Sequence, residues 1–263
     1  MPKHAVRLLM RNFALLCMNI LLCACTPQQT ASKGLERHIA STSNKVVVDA
    51  ADYSSFWIWG NISSATYLQQ AKELYILQGE IKWDRTTQRS EFRPQGISIL
   101  KKPNQSIWLV VRSYHLNWST ENIQQIIQRL HQWESQDNQI EGLQIDFDAR
   151  TKNIQQYAEF LAKFRQHLPK QYRLGITGLL DWTNVRNQTA LALLRQNIDE
   201  IAIQTYQGST TIPNYANYLA KISQLKLPYK IGVVQHGQWQ APSHLTKDPN
   251  FKGYIVFLLR QRD

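Results

Sequence analysis

Cysteine is nearly absent from this chain of 263 residues, and its three copies, Cys17, Cys23 and Cys25, all lie near the amino terminus. The remainder of the chain therefore has no disulfide and no thiol that could serve as a nucleophile or metal ligand. A hydrophobic fraction of 43% and a charged fraction of 19% are ordinary for a folded protein. Stability must come from a packed apolar core.

Other features that would indicate a function class are also missing. The formal net charge is +11, but no run of lysine and arginine forms a nucleic-acid-binding arm. None of the seven histidines forms a spaced ligand pair, although His115 and His236 could still join nearby carboxylates at a metal. We therefore predict no nucleic acid, no metal and no cofactor, and we interpret the basic charge as a solvated surface that faces anionic lipid or envelope polymers.

The first 24 residues are typical of an export signal. A basic segment precedes an apolar stretch that is too short to span a bilayer comfortably. These parts are Lys3, Arg7 and Arg11, followed by Phe13 to Ala24. The stretch ends in Leu22-Cys23-Ala24-Cys25, which resembles a lipobox whose last cysteine receives a lipid. A plain cleaved signal peptide and an uncleaved anchor are the alternatives.

The rest of the chain divides into a short tether and one domain. Residues 25–45 are polar, rich in serine, threonine and glutamine, and have no apolar period, so we predict a tether that starts at the lipidated Cys25. Residues 46–263 have the length of a single α/β barrel. We expect a monomer in the cell envelope, anchored to the bilayer through Cys25. In a Gram-negative organism this is the outer membrane or the periplasmic face.

Eight short apolar runs alternate with helical or loop segments along this domain. Nearly continuous hydrophobicity is typical of parallel strands that are buried on both faces. The predicted strands are 56–59, 74–78, 107–111, 142–147, 174–179, 201–205, 229–234 and 254–258. The alternation predicts a (β/α)8 TIM-type barrel. An open, doubly wound sheet is the alternative, but no glycine-rich phosphate loop follows the first strand.

Helical spacing of apolar residues predicts helices over 120–133, 151–168 and 214–225. The link between the second and third strands contains Pro94, Gly96 and Pro103 and has little room for a helix. Because the sequence stops soon after the eighth strand, we expect the last barrel helix to be missing. The tether covers the gap in that case, or the barrel is incomplete.

The fourth predicted strand carries the most informative polar residues. Gln144, Asp146 and Asp148 alternate with apolar residues and therefore share one face. In a barrel this face points inward and up to the C-terminal mouth, where enzymes of this fold keep their chemistry. Two adjacent, partly desolvated carboxylates are expected to share one proton at neutral pH, as a general acid requires. Alternatively, Arg112 or Arg150 pairs with both aspartates and closes the mouth.

Five of the eight tryptophans lie at or just past the ends of predicted strands. They are Trp59, Trp83, Trp118, Trp182 and Trp239. Such rings suit either stacking on the apolar faces of sugars or packing within loops. Three charged residues also follow strand ends and could contact a substrate: Glu80, Arg112 and Asp181. Asp181 could instead cap the next helical segment, a role for which Thr183 competes.

Segments of this chain resemble two known families. Residues 141–148 resemble the fourth-strand signature D-x-x-D-x-D-x-E of the chitinase-type glycoside hydrolases, and 204–207 are similar to their M-x-Y-D run. In this chain Glu141, Gln144, Asp146 and Asp148 occupy the four positions of the signature. Residues 144–151, the helix after them and 174–182 resemble a family of bacterial lipoproteins with glycosidase-like barrels. That second resemblance spans most of the mature chain and implies no activity.

The chitinase-type resemblance implies a role for each matched position. Asp148 would be the general acid, and Asp146 would stabilise a substrate N-acetyl group whose carbonyl accepts a hydrogen bond from Tyr206. Gln204 or Gln207 would lie nearby. Two departures matter, since Asp148 is one methylene shorter than the expected glutamate and Gln144 replaces an acid of the signature.

The sequence therefore predicts a lipid-anchored protein that hydrolyses an amino-sugar-containing polysaccharide or oligosaccharide of the envelope. A tethered glycan-binding protein that has lost catalysis is the alternative. A third hypothesis is an envelope assembly lipoprotein whose partner is a protein, which a large apolar patch outside the barrel mouth would favour.

Overall fold

The computed structural model describes residues 46–60 and 66–259. The predicted signal peptide over 1–24, the lipidation site Cys25 and the tether over 25–45 lie outside these residues. Across the described ranges, no helix combines the length and the apolar character needed to cross a bilayer.

Eight parallel strands form a closed ring. They are β1 (Ser55–Ile58), β2 (Glu73–Asp84), β3 (Ser106–Ser113), β4 (Gln139–Asp146), β5 (Arg173–Leu179), β6 (Glu200–Gln204), β7 (Tyr229–Val234) and β8 (Phe251–Phe257). Each strand pairs with the next one in the chain, and β8 pairs with β1. The predicted TIM-type barrel is confirmed, and the closure of the ring rules out an open sheet.

Within the part of the chain that the structure describes, five α-helices accompany the ring. They are α1 (Thr66–Gln69), α2 (Thr120–Glu134), α3 (Ile154–Arg165), α4 (Gln188–Asn197) and α5 (Tyr215–Leu219). α2 begins at a capping box in which the Ser119 hydroxyl and the Asn122 side chain satisfy each other's backbone N–H groups. Short 3₁₀ turns precede α3 and follow α5, so these two predicted helices are shorter than the sequence indicated. α4 has no counterpart among the helices predicted from the sequence.

The link between β2 and β3 is a β-hairpin. The strand Arg89–Pro94 pairs antiparallel with the second half of β2, which extends well beyond the predicted end at residue 78. The hairpin rests on the start of α2, where the Ser90 hydroxyl donates a 2.6 Å hydrogen bond to the Asn122 side-chain oxygen.

The segment that follows the predicted tether lies against the last strands of the barrel. Val46–Val47 pairs antiparallel with Gln238–Trp239, just after β7. The ring of Tyr53 packs edge-on against Tyr254 of β8, with 5.8 Å between their centroids. Residues 46–54 thus cover part of the outer surface of β8. The prediction that the last barrel helix is missing concerns residues beyond Leu259, which lie outside the described residues, and it stays a prediction.

Aromatic side chains fill the middle of the barrel lumen. Tyr75 and Trp108 stack with 5.7 Å between ring centroids and an interplanar angle of 6°. Trp57 packs edge-on against Tyr75. Gly232 on β7 leaves room for this indole, because a Cβ at that position would lie 2.6 Å from the Trp57 ring. A packed interior of this kind directs any ligand to the ends of the strands.

A buried ionic cluster closes the lumen at the amino-terminal ends of the strands. The Lys230 ammonium donates to both carboxylate oxygens of Glu73, at 2.7 and 2.6 Å, and to the Tyr75 hydroxyl at 2.9 Å. The Tyr75 hydroxyl in turn donates a 2.7 Å hydrogen bond to Glu200. These partners satisfy charges that would otherwise be costly to bury, so we assign the cluster a structural role.

Candidate functional site

A cavity of about 650 Å³ opens at the carboxyl-terminal ends of the strands. Seven of the residues predicted from the sequence line it: Trp59, Arg112, Asp148, Asp181, Gln204, Tyr206 and Gln207. The lining also includes Arg150, Tyr218 and Phe257. The mixture of flat rings with acid, amide and guanidinium groups fits a polar ligand that also has apolar faces, such as a sugar.

Arg112, near the end of β3, connects the acidic residues of this region. Its Nη1 lies 3.4 Å from a carboxylate oxygen of Asp146, and its Nη2 lies 3.5 Å from one of Asp148. Its Cζ lies 5.2 Å from the centroid of the Trp59 ring, within the range of a cation–π interaction. The guanidinium therefore pairs with both aspartates, as the alternative interpretation of the sequence proposed.

Asp146 is the last residue of β4 and points into the barrel beneath this guanidinium. Its side chain is almost completely buried, and the Thr177 hydroxyl donates a 2.8 Å hydrogen bond to it. Burial raises the pKa of Asp146, while Arg112 and Thr177 oppose the rise and Asp148 adds a smaller contribution to it. Desolvation, more than repulsion between the two aspartates, thus sets the direction of this shift. Asp146 does not line the cavity.

Asp148 lies two residues past the end of β4, in the loop, and its side chain is 59% exposed. It lines the cavity and faces Arg112. Strand alternation correctly predicts the inward direction of Gln144 and Asp146, but the strand ends before Asp148, so the loop determines where that carboxylate lies.

Tyr206 follows β6 and stacks on Phe257, with 5.4 Å between centroids and an interplanar angle of 22°. Burial, together with the nearby charge of Asp146, raises the pKa of the Tyr206 phenol well above its ordinary value. The phenol is therefore a neutral group that can donate a hydrogen bond at the cavity wall. Gln204 and Gln207, on either side of it, place two amide groups at the same wall.

Besides Asp146, three other residues that the sequence predicted for the site do not line the cavity. Glu80 forms a salt bridge with Lys82 and accepts a 3.3 Å hydrogen bond from the Tyr114 hydroxyl. Gln144 is completely buried within the lumen. Trp182 is completely buried as well, since its indole points away from the mouth and donates a 2.7 Å hydrogen bond to the Ala149 carbonyl oxygen.

Of the five tryptophans near strand ends, Trp59 alone lines the cavity. Trp118 packs against Phe160 and Phe164, and Trp239 stacks on Tyr215. Trp83, on the β2 hairpin, is 46% exposed. Loop packing therefore accounts for most of these rings. Within residues 46–60 and 66–259, histidine, cysteine and acidic side chains form no group of three or more that could hold a metal ion.

A match between the sequence and one family model covers much of this site. Residues 115–212 match a family model described as "Domain of unknown function (DUF3142)". The matched segment contains Asp146, Asp148, Asp181 and the 204–207 run. No curated protein sequence matches the chain.

Several solved structures resemble the barrel. The spore cortex-lytic enzyme SleL of Bacillus cereus has 15% identity and a TM-score of 0.48 over 68% of this chain and 49% of its own, so this chain spans about half of that enzyme's length. The chitinase domain of the spore coat protein CotE from Clostridium difficile has 10% identity and a TM-score of 0.46, over 74% of this chain and 67% of its own. The xylanase and alpha-amylase inhibitor protein XAIP-II from Scadoxus multiflorus has 11% identity and a TM-score of 0.47, over 78% of this chain and 92% of its own. Of these three proteins, one is described as a lytic enzyme, one as a chitinase domain and one as an inhibitor of xylanase and alpha-amylase.

Proposed function

We propose that this protein binds and hydrolyses an amino-sugar-containing glycan in the cavity at the barrel mouth. The observation that carries the proposal is the exposed carboxylate of Asp148 in the same cavity as the indole of Trp59. A sugar that stacks on this ring would bring its glycosidic oxygen close to a proton donor at the loop after β4. Gln204, Tyr206 and Gln207 would donate hydrogen bonds to its hydroxyl and amide groups.

In this proposal Asp148 is the general acid and Asp146 stabilises the site indirectly. Arg112 lies between Asp146 and the cavity, so a substrate would meet the guanidinium before it met the buried carboxylate. Asp146 and Thr177 would hold Arg112 in place beneath the ligand. The direct contact between Asp146 and an N-acetyl group, which the resemblance implies, would require Arg112 to move.

A second candidate function is glycan binding without cleavage. The pairing of Arg112 with both Asp146 and Asp148 favours it, because both carboxylates are engaged by a guanidinium and not held free for a substrate. The same ring and amide groups would then hold a glycan at the envelope without chemistry.

The cellular part of the proposal rests on the sequence. We propose that residues 1–24 are removed, that Cys25 carries the lipid and that 25–45 tether the barrel to the envelope. Expression of the full chain and of Cys25→Ser, followed by membrane fractionation and labelling with a fatty-acid analogue, tests this. The full chain should be labelled and sediment with membranes, and the variant should be neither labelled nor retained.

Cleavage and binding can be separated with N-acetylglucosamine oligomers. Asp148→Asn should lower the cleavage rate by about 10²–10⁴-fold, the range for loss of a general acid, and leave the binding affinity nearly unchanged. The matched control is Asp52→Asn, since Asp52 is exposed and lies outside the cavity. Binding by the unmodified protein without any cleavage would favour the second function. Absence of both would refute the glycan proposal.

A further inference from the structure

Asp181 is the other carboxylate that lines the cavity with Asp148. It lies in the 3₁₀ turn Leu180–Asn184, directly after β5. Its Oδ1 is closed off from solvent and, among the described residues, has no hydrogen-bond partner. A buried acceptor without a donor costs free energy, and a native structure normally supplies one. Because Asp181 lines the cavity, a ligand bound there, or a water held with that ligand, is in a position to supply the donor.

The Asp181 carboxylate does not stabilise the 3₁₀ turn in which it lies. The N-cap of the turn is Leu179, and no side chain makes a capping hydrogen bond there. The Thr183 hydroxyl donates to the Leu180 carbonyl oxygen at 2.9 Å, so this residue is already engaged within the turn. Within the described chain, Asp181 is also absent from the salt bridges that hold the other acids of the mouth. The cap role that the sequence allowed for Asp181 therefore does not explain its position.

A hydrogen bond joins the two loops that carry Asp148 and Asp181. The indole of Trp182 donates a 2.7 Å hydrogen bond to the carbonyl oxygen of Ala149. Trp182 follows Asp181 in the chain, and Ala149 follows Asp148. The indole is completely buried and packs edge-on against Tyr157, 6.0 Å away, which leaves the pair of loops little freedom. Trp182 is thus a positioning residue that sets the separation of the two carboxylates.

We propose that Asp181 is the second catalytic carboxylate of this cavity and acts as the general base. This inference rests on the proposed hydrolysis of a glycan. The Asp181 carboxylate takes a proton from a water molecule, whose oxygen forms a bond to the anomeric carbon. The bond from that carbon to the glycosidic oxygen breaks, and the leaving oxygen takes its electron pair and accepts the proton of Asp148. Asp181 ends protonated and Asp148 ionised, and exchange with solvent restores both.

This assignment also accounts for the position of Asp146. Hydrogen bonding by Thr177 and pairing with Arg112 keep that carboxylate below the cavity wall. A route in which the substrate's own N-acetyl group attacks the anomeric carbon needs a carboxylate that reaches this group. Asp181 lines the cavity and Asp146 does not. A water-mediated route through Asp148 and Asp181 requires no movement of Arg112.

Two substrates distinguish the two carboxylates. An N-acetylglucosamine oligomer needs protonation of its leaving oxygen, whereas its 4-nitrophenyl glycoside releases a stable phenolate that needs no acid. Asp148→Asn should lose about 10²–10⁴-fold in rate on the oligomer and little on the nitrophenyl glycoside. Asp181→Asn should lose a similar factor on both substrates. Asp52→Asn should match the unmodified protein, and thermal melts of all three variants show whether each one is folded.

Two further measurements test the role as a base. The first product released should have the opposite anomeric configuration from the substrate, which NMR spectroscopy detects directly. Azide should restore turnover to Asp181→Ala, because it attacks the anomeric carbon without a base and forms a glycosyl azide. Retention of configuration, or an Asp181→Asn rate equal to that of Asp52→Asn, would overturn the role of Asp181 and leave the proposed hydrolysis standing. If the unmodified protein cleaves neither substrate, both fail.

Trp182→Phe tests the positioning argument. The phenyl ring keeps much of the packing against Tyr157 but cannot donate to Ala149. We expect kcat to fall by at least tenfold with KM nearly unchanged, since a displaced catalytic group affects the transition state more than substrate binding. A lower melting temperature with unchanged kcat would mean that the bond is structural only and would contradict this part of the inference.

Discussion

The indole nitrogen of Trp57 donates a 2.7 Å hydrogen bond to the side-chain oxygen of Gln144, across the lumen of the barrel. The two residues lie on β1 and β4, which are not neighbours in the ring. Gln144 is completely buried, and its amide nitrogen has no partner among the described residues. Gln144, which stands where the chitinase-type signature has an acid, therefore contributes to the core and does not reach the cavity.

Trp57→Phe should destabilise the protein by about 1–3 kcal/mol, the cost of leaving a buried polar group without its partner. Phenylalanine fills part of the same space but cannot donate to Gln144. Urea unfolding followed by circular dichroism measures the loss. Trp83→Phe is the control, because Trp83 is 46% exposed and its replacement should change the free energy of unfolding by about 0.5 kcal/mol or less. Equal losses in the two variants would contradict the structural role of the bond.

The raised pKa of Asp146 predicts a pH dependence of stability. Burial makes the folded protein hold this proton more tightly than the unfolded chain, in which an aspartate has a pKa of about 3.9. Below that pH the carboxyl is protonated in both the folded and the unfolded state, so no charge is buried and the free energy of unfolding is not lowered. As the pH rises through the unfolded and then the folded pKa, the buried charge forms and stability falls.

Comparison with Asp146→Asn isolates this effect. The free energy of unfolding of the unmodified protein, minus that of the variant, should decrease as the pH rises from about 3 to about 7. Denaturant titrations at several pH values measure the difference. A difference that increases with pH would mean that Arg112 and Thr177 outweigh burial at this carboxylate.

Lys230→Met should destabilise the barrel by about 3–5 kcal/mol, because it leaves Glu73 and Glu200 without the cation that pairs with both. Chemical denaturation measures the effect. The control is Lys101→Met, whose partner Asp137 is exposed, and the loss there should be much smaller, since solvent screens an exposed ion pair. Adding Glu200→Gln to Lys230→Met should recover part of the stability. No recovery would show that lost packing, and not uncompensated charge, explains the cost.

Trp59→Ala should weaken glycan binding without affecting the fold. Loss of one stacking ring is worth about 0.5–1.5 kcal/mol, which corresponds to a loss of roughly 2- to 12-fold in affinity. Calorimetric titration with N-acetylglucosamine oligomers measures this change. Trp83→Ala is the matched control, since this indole lies outside the cavity and should leave the affinity unchanged. A larger loss in the control would place the sugar on the hairpin instead.

The ring of strands could be predicted because each strand leaves a local signal in the sequence. Runs such as 107–111 and 254–258 are apolar on both faces, which a parallel strand between lumen and helices requires. The hairpin strand Arg89–Pro94 has no such signal, since it is polar and takes its conformation from pairing with β2. The helix α4 was missed although Ala190, Leu191 and Leu194 form its buried face.

The site was predictable up to the point where the strands end. Alternation places Gln144 and Asp146 in the lumen, but it cannot describe the loop residues that follow. Trp182 illustrates the limit, because its sequence position suggests the mouth while a 3₁₀ turn directs its indole into the layer outside the barrel. The register in which β2 pairs with β3 shifts between Leu77 and Gly79. Simple alternation along β2 therefore does not predict the direction of the Glu80 side chain, which comes after this shift.

The contact between Gly232 and the Trp57 ring links the identities of two distant positions. A relative with alanine at position 232 would have to accommodate a methyl group where the indole now lies, 2.6 Å from its ring atoms. We therefore expect such a relative to carry a smaller side chain at position 57. That change would also remove the donor to position 144, so the three positions should vary together through evolution, a pattern that sequences of related proteins would reveal.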